Sequence, residues 1–246
     1  MAFEKPFVIE EMTPIAPGIF RLVLRGEHRF TRPGQFAQVS VPGCFLRRPI
    51  SVFDYEPGRF TMLFRVVGNG TAVLSGRKAG DTLDCITGLG NGFPTEGEKP
   101  LLVGGGIGCP PLYHLCKEFV RRGVRPTVIL GFKRGVECIL KEEFEALGAR
   151  VLIATEDGSM GQKGFVTDCL PGLEFDRLYT CGPTPMMKAL HKTVKTPGYY
   201  SLEERMGCGF GVCVGCTIHT RSGAARVCKD GPVFASDELL WEEENA

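Results

Sequence analysis

The 246-residue chain carries 29 lysines and arginines against 28 aspartates and glutamates, a formal charge of +1, and 43% of its residues are hydrophobic. That balance leaves no basic face for a nucleic-acid backbone and supplies ample apolar mass for a core. The eleven cysteines are odd in number, the start "MAFEKPFVIEEM" has no apolar export stretch, and no run approaches the ~18 apolar residues of a membrane span, so the chain reads as a cytoplasmic protein with reduced thiols.

From Phe7 to about Thr87 the chain runs in short β-rich segments, "IFRLVLR", "QFAQVSV" and "FTMLFRVV", separated by the turn formers "RPGQ", "VPG" and "EPGR". Closely spaced strands with Pro and Gly turns predict an antiparallel sandwich or barrel. A helix-like "TAVLSGRKAG" interrupts it near its end. The Gly- and Pro-rich stretch 88–100, "GLGNGFPTEGEKP", has no apolar period and marks a domain boundary. Beyond it, apolar strands alternate with amphipathic segments: "PLLVGGG" with "PPLYHLCKEFVRRG", "PTVILGF" with "VECILKEEFEALG", "RVLIAT" with "GFVTDCL", and "RLYTCG" with "PTPMMKALHKTV". This alternation predicts βαβ units and an open α/β domain on a parallel sheet. From about Pro197 the periodicity stops, and the cysteine-rich segment that follows lacks the apolar mass to fold alone; something other than a hydrophobic core is expected to organise it. The expected organisation is therefore a β domain over 1–97, an α/β domain over 98–198 and a small module over 199–246.

The module's cysteines, Cys208, Cys213, Cys216 and Cys228, form C-x4-C-x2-C-x11-C. Structural zinc sites usually pair ligands as two short knuckles, whereas x4 followed by x2 is the plant-type 2Fe-2S spacing. The spacing favours iron, with a zinc knuckle or four structural thiols as the alternatives. Gly207, Gly209, Gly211 and Gly215 would let the loop wrap closely and turn backbone N–H groups toward sulfur. Four thiolates complete a ligand set, so His219 is expected to stand outside it. Ahead of the loop, "SLEE" sets Ser201 three residues before Glu204, the pattern of a capping box opening a short helical turn.

Two further patterns point to phosphate. In "PLLVGGGIGCPPLYHL" a strand runs through Gly104, Gly105, Gly106 and Gly108 into a helix, the geometry that receives a pyrophosphate at a helix N-terminus. Pro110 and Pro111 at the helix start depart from G-x-G-x-x-G but cost no hydrogen bond there. A tight strand-to-helix turn is the plain alternative. "YTCGPTPMM" makes a second such junction, with Cys181, Gly182 and Pro183; Cys181 equally suits a small core position. In "FLRRPISVF" and "LFRVVGNGTAVLSG", Arg48 at a strand end, Ser51 three positions on, and Gly70-Thr71 opening a helix offer one cation and one helix N-terminus to a diphosphate.

In this order, "RRPIS", "LFR…GNGT", "GLGNGF", "GGGIGCPPLY", "EDGSMGQKGFVTD", "CGPTPMM", "ERMGCGFGVCVGC" and "VCKDGPVF" resemble the ferredoxin-reductase superfamily. Within it they look most like the electron-transfer subunits of NAD-dependent (class 1B) dihydroorotate dehydrogenases. The resemblance spans essentially the whole length and implies an antiparallel FAD-binding β-barrel, a NAD-binding α/β domain and a 2Fe-2S module. It implies that Arg48, Pro49, Ile50, Ser51, Leu63, Phe64, Arg65, Gly70 and Thr71 bind FAD, with Arg48 facing the diphosphate and Ser51 near the hydride-accepting nitrogen. Gly104, Gly105, Gly106, Gly108, Cys181, Gly182 and Pro183 would hold NAD, and Cys208, Cys213, Cys216 and Cys228 the cluster. Ile50 stands where many relatives have tyrosine, which removes any argument from aromatic stacking. Glu156 and Asp157 in "TEDGS" would repel a 2′-phosphate and favour NAD over NADP. The chain shows no orotate-binding or catalytic-base motif, so the oxidation itself is expected in an FMN-containing catalytic subunit, two of each subunit forming a heterotetramer. Other readings are a subunit of a related flavin and iron-sulfur complex, such as a sulfhydrogenase gamma subunit or an NADH-dependent ferredoxin:NADP oxidoreductase, or a zinc-stabilised adaptor without catalysis.

Overall fold

A computed structural model describes residues 4–241. The first unit contains β1 (Glu4–Ala16), β2 (Ile19–Arg25), β3 (Phe36–Val39), β4 (Arg48–Glu56), β5 (Arg59–Arg65), the short helix α1 (Asn69–Ser75) and β6 (Thr82–Leu89). Its strands close antiparallel in the order β1-β2-β5-β4-β3-β6, with β6 returning to β1. Closure leaves no sheet edge unpaired. Alternate residues of these strands turn inward, so Phe7, Leu22, Leu24, Val39, Val52, Phe60 and Met62 fill the barrel.

The second unit follows with β7 (Pro100–Gly105), α2 (Pro111–Arg121), β8 (Thr127–Phe132), α3 (Lys141–Ala146), β9 (Arg150–Thr155), the two-residue β10 (Gln162–Lys163), β11 (Arg177–Cys181) and α4 (Thr184–Thr193). Two of the expected helices are shorter than their sequence pattern. In "VECILKEEFEALG" Leu140 adopts a left-handed φ of 69°, so the helix starts only at Lys141. "GFVTDCL" forms a single 3-10 turn, Val166–Cys169.

The last strands are β12 (Gly198–Ser201), the hairpin β13 (Thr217–Thr220) and β14 (Gly223–Arg226), and β15 (Val233–Ala235). The large sheet runs β10-β9-β8-β7-β11-β12-β15 and is parallel except for β15. Ser201 therefore ends a strand, paired with Cys181 on one side and Val233 on the other, and Leu202 N donates to the Pro232 carbonyl. Ladder pairing on both sides overrides the capping signal of "SLEE", and no helix forms over 202–206.

The cysteine segment is also less independent than its composition predicts. β12 and β15 weld both of its ends to the large sheet. Cys216 and Cys228, 2% and 1% exposed, pack in one core with Leu101, Val103, Tyr200 and Phe234 of that sheet and with Phe36 and Ile86 of the barrel. A shared core thus does much of the organising that was expected from a ligand alone. Asn91 in the linker ties the same junction: its Nδ2 donates to the carbonyls of Asp230 (3.1 Å) and Val233 (2.7 Å), and its Oδ1 accepts from Val233 N.

Candidate functional site

The glycine loop after β7 and the junction after β11 form opposite walls of a cleft of about 1100 Å³, at the carboxyl ends of the parallel strands where open α/β sheets bind ligands. Gly105, Gly106, Gly108, Gly182 and Pro183 line it. Gly106 takes φ 53° in the turn. Gly108 admits the other wall: a Cβ there would stand 2.6 Å from both the Cys181 carbonyl oxygen and the Gly182 Cα. Gly104 and Cys181 do not line the cleft. Gly104 lets Cys109 pack, a Cβ on it falling 2.8 Å from the Cys109 Sγ. Cys181 is 2% exposed, and burial pushes its thiol well above the ordinary range, so it stays neutral.

Several cleft residues carried no sequence signal. Lys133, Arg134 and Glu137 follow β8, Phe165 stands 65% exposed at the wall, and Glu203 approaches from the cysteine segment. Arg65, expected at the flavin, also reaches this cleft from the end of β5. Its Nη2 lies 3.2 Å from Glu137 Oε2, while Arg134 Nε lies 3.3 Å from Glu137 Oε1. A carboxylate of the nucleotide domain therefore pairs with a cation of the barrel. Glu156 lines the cleft, but Asp157 does not, its carboxylate being taken by Ser159 N and Oγ.

On the barrel, Arg48 to Ser51 open β4 and Leu63 to Arg65 close β5. Ile50 and Phe64 point into the barrel core and Leu63 into the core shared with α2. These three offer a ligand backbone, not side chain. Arg48 folds back over the start of α1, so a Cβ on Gly70 would collide with its guanidinium. Thr71 Oγ1 accepts from Val67 N (2.9 Å) and donates to the Gly68 carbonyl (3.0 Å), fixing the turn beneath. A cation held against a glycine at a helix start is a cradle suited to a diphosphate.

The four cysteines of the spacing motif come together as two pairs. Cys208 N donates to Cys213 Sγ at 3.4 Å, and Val212 N and Cys213 N donate to Cys208 Sγ at 3.3 and 3.4 Å. Cys228 N donates to Cys216 Sγ at 3.4 Å. Among the described residues no three His, Cys, Asp or Glu side chains converge on one ion position. Burial raises the Cys208 thiol, but the N–H donors of Cys213, Phe210 and Val212 outweigh it and bring the thiol down to about 6. Burial and the facing Cys216 push Cys228 up to about 12. Bound metal would hold both as thiolates. His219 sits exposed in the β13–β14 hairpin opposite Ala224.

The family described as the iron-sulfur cluster binding domain of dihydroorotate dehydrogenase B matches residues 203–240. A dihydroorotate dehydrogenase B (NAD(+)), electron transfer subunit of Bacillus caldolyticus is 44% identical over 243 residues, covering 92% of this chain and 94% of that one. The subunit of the same name from Bacillus cereus (strain G9842) is 43% identical over 259 residues, covering 98% of this chain and 100% of that one. Among solved structures, an NADH-dependent reduced ferredoxin-NADP oxidoreductase studied for flavin-based electron bifurcation superposes with TM-score 0.88 at 33% identity, over 99% of this chain and 92% of that chain. A flavohemoglobin from Malassezia yamatoensis with bound FAD and heme shares the fold at TM-score 0.67 and 16% identity, over 77% and 56%.

Proposed function

This chain belongs to the family of electron transfer subunits of dihydroorotate dehydrogenase B (NAD(+)), and from that premise we propose how its residues divide the work. It is an oxidoreductase subunit that works with a catalytic partner, passing electrons between that partner and NAD with FAD and an iron-sulfur cluster as its cofactors. We take the partner to be an FMN-containing subunit that oxidises dihydroorotate to orotate for pyrimidine synthesis, joined two-plus-two in the cytoplasm. No helix among the described residues is long and apolar enough to cross a membrane.

FAD supplies the exchange between the two-electron chemistry of a nicotinamide and the one-electron chemistry of a cluster. Arg48, with Gly70 and Thr71 beneath it, would hold the FAD diphosphate, and the β4 backbone from Pro49 to Ser51 would support the ring. Gly105 to Gly108 and Gly182-Pro183 would clamp NAD between two walls. Gly104 and Cys181 would act one layer back, packing those walls. Cys208 with Cys213 and Cys216 with Cys228 would hold the cluster. The observation that carries this reading is the convergence of all three parts on the barrel: β5 delivers Arg65 into the nucleotide cleft, β4 carries the diphosphate cradle, and β3 meets the cysteine loop.

The test is anaerobic co-purification followed by an NAD-dependent dihydroorotate oxidation assay with and without the associated subunit. Flavin and iron in the protein with coupled activity support the proposal. Zinc without iron or flavin would return it to a structural adaptor. Recovery of a different associated subunit, with ferredoxin:NADP oxidoreductase activity like that of the neighbour at 33% identity, would redirect it.

Two substitutions examine the binding roles. Gly70→Ala pushes on the flexible end of Arg48, so the fold should lose no more than about 1 kcal/mol while FAD content drops severalfold on purification; undiminished flavin absorbance would refute the cradle. Glu156→Gln removes an acid from the NAD cleft. The ratio of kcat/KM for NADH over NADPH is expected to fall about tenfold, worth ~1.4 kcal/mol, and an unchanged ratio would show that Glu156 does not select against the 2′-phosphate.

A further inference from the structure

Gln38 in β3 is fully buried at 0% exposure, yet neither its Nε2 nor its Oε1 has a hydrogen-bond partner among the described residues. An unpaired buried polar group costs about 1–3 kcal/mol, so a side chain that strands two such atoms points to a group that the bare chain does not supply. Its neighbours Ala37 and Val39 face the barrel interior, which turns Gln38 outward on the same face as Phe36. Phe36 packs in the core that holds Cys216 and Cys228. Across the ladder, Gln38 pairs with Pro49 and Phe36 with Ser51, so this face continues into the strand assigned to FAD.

The amide runs against the cysteine loop. A Cβ on Gly209, the residue after Cys208, would stand 2.5 Å from Gln38 Cγ and 2.8 Å from its Cδ, and would collide with Nε2. Glycine at 209 thus admits the Gln38 amide beside a cluster cysteine. Cys208 Sγ accepts the Val212 and Cys213 N–H groups, with the Phe210 N–H acting on it as well, and the sulfurs of a bound cluster would offer acceptors for a further donor.

We propose that Gln38 is a hydrogen-bond donor from the barrel to the sulfur shell of the iron-sulfur cluster, a positioning residue that sets the cluster's reduction potential. The inference rests on the reading that Cys208, Cys213, Cys216 and Cys228 hold a 2Fe-2S cluster. Reduction adds one negative charge to a four-thiolate cluster, and an N–H donor stabilises the more negative state, so the donor raises the potential. The low dielectric of a buried site strengthens the effect.

The experiment uses the full chain carrying FAD and cluster. Gln38→Met keeps the volume and removes both polar atoms; Gln38→Glu keeps the shape and replaces the donor with an acid. Iron and FAD content, the EPR-monitored midpoint potential of the cluster, and the flavin potential are measured on each. Both variants are expected to retain iron and FAD. The cluster potential should shift negative in Gln38→Met and further negative in Gln38→Glu above pH 8, with altered g-values and an unmoved flavin potential. A wild-type cluster potential in either loaded variant would overturn the proposal, and a shift confined to the flavin would overturn it by assigning the amide to FAD. Absence of iron from the wild-type protein would instead sink the cluster reading itself.

Discussion

Cys213→Ser is expected to purify as a folded protein that has lost its cluster iron and, with it, coupled dihydroorotate–NAD activity. Of Cys208, Cys213, Cys216 and Cys228, Cys213 alone is exposed, while Cys216 and Cys228 are buried in the core shared by sheet and barrel. The serine therefore tests ligation with little cost in packing. Loss of an outer-shell partner reduces metal affinity about 10–100-fold, so loss of a thiolate should exceed the upper end of that range. NADH oxidation by an artificial acceptor at the flavin is expected to stay within roughly tenfold of wild type, because the nucleotide cleft and the Arg48 cradle lie on other elements. Cys216→Ser should lose iron and also lower Tm, since it sets a hydroxyl among Val227, Phe234 and Tyr200. A full coupled rate in Cys213→Ser, measured with the catalytic partner present, would contradict the proposed wiring.

Gly108→Ala is expected to abolish practical NADH binding, raising Kd about 100-fold or ~2.7 kcal/mol, while leaving FAD and iron in place. The atoms nearest the methyl would be backbone, the Cys181 carbonyl oxygen and Gly182 Cα, each 2.6 Å away. Those atoms belong to the end of β11, held in the sheet by β7 and β12, and cannot swing aside as a long side chain can. The two cleft walls must separate. Overpacking of this kind also costs about 1–3 kcal/mol of stability. Gly123→Ala provides the control. Gly123 has φ 78° and nothing within 4 Å of an added Cβ, so it should lose about 1–2 kcal/mol of stability from backbone strain and keep its NADH affinity. Equal NADH titrations for Gly108→Ala and wild type would show that the two walls do not jointly form the nucleotide site.

Much of this architecture was legible before the fold was seen. Strand runs broken by "RPGQ" and "EPGR" announce an antiparallel sandwich or barrel because the period of two and the turn chemistry are local. The alternation after Lys99 announces a parallel sheet for the same reason. What failed was equally local: "SLEE" carries a cap pattern, but Ser201 is claimed by ladders to Cys181 and Val233, whose partners lie in distant segments. The pattern of "VECILKEEFEALG" gives no warning that Leu140 turns left-handed and shortens its helix. In the candidate site, the glycines and cysteines were visible by spacing, whereas Lys133, Arg134, Glu137 and Glu203 were not, since single charged residues on loops look like any solvated surface.

The sequence by itself determined the chemistry on offer: four thiols at cluster spacing, two glycine-rich strand-to-helix junctions, and an arginine set before a glycine-opened helix. Residues a few positions apart share a loop or helix turn, so their spacing already constrains their geometry. Only the tertiary structure decided how these parts meet. Arg65 pairs with Glu137 from 72 positions away, Asn91 holds Val233 across 142, and Gln38 presses its unpartnered amide against Gly209. Such contacts arise from barrel closure and from a core shared by all three parts, and long-range packing leaves no periodic trace along the chain.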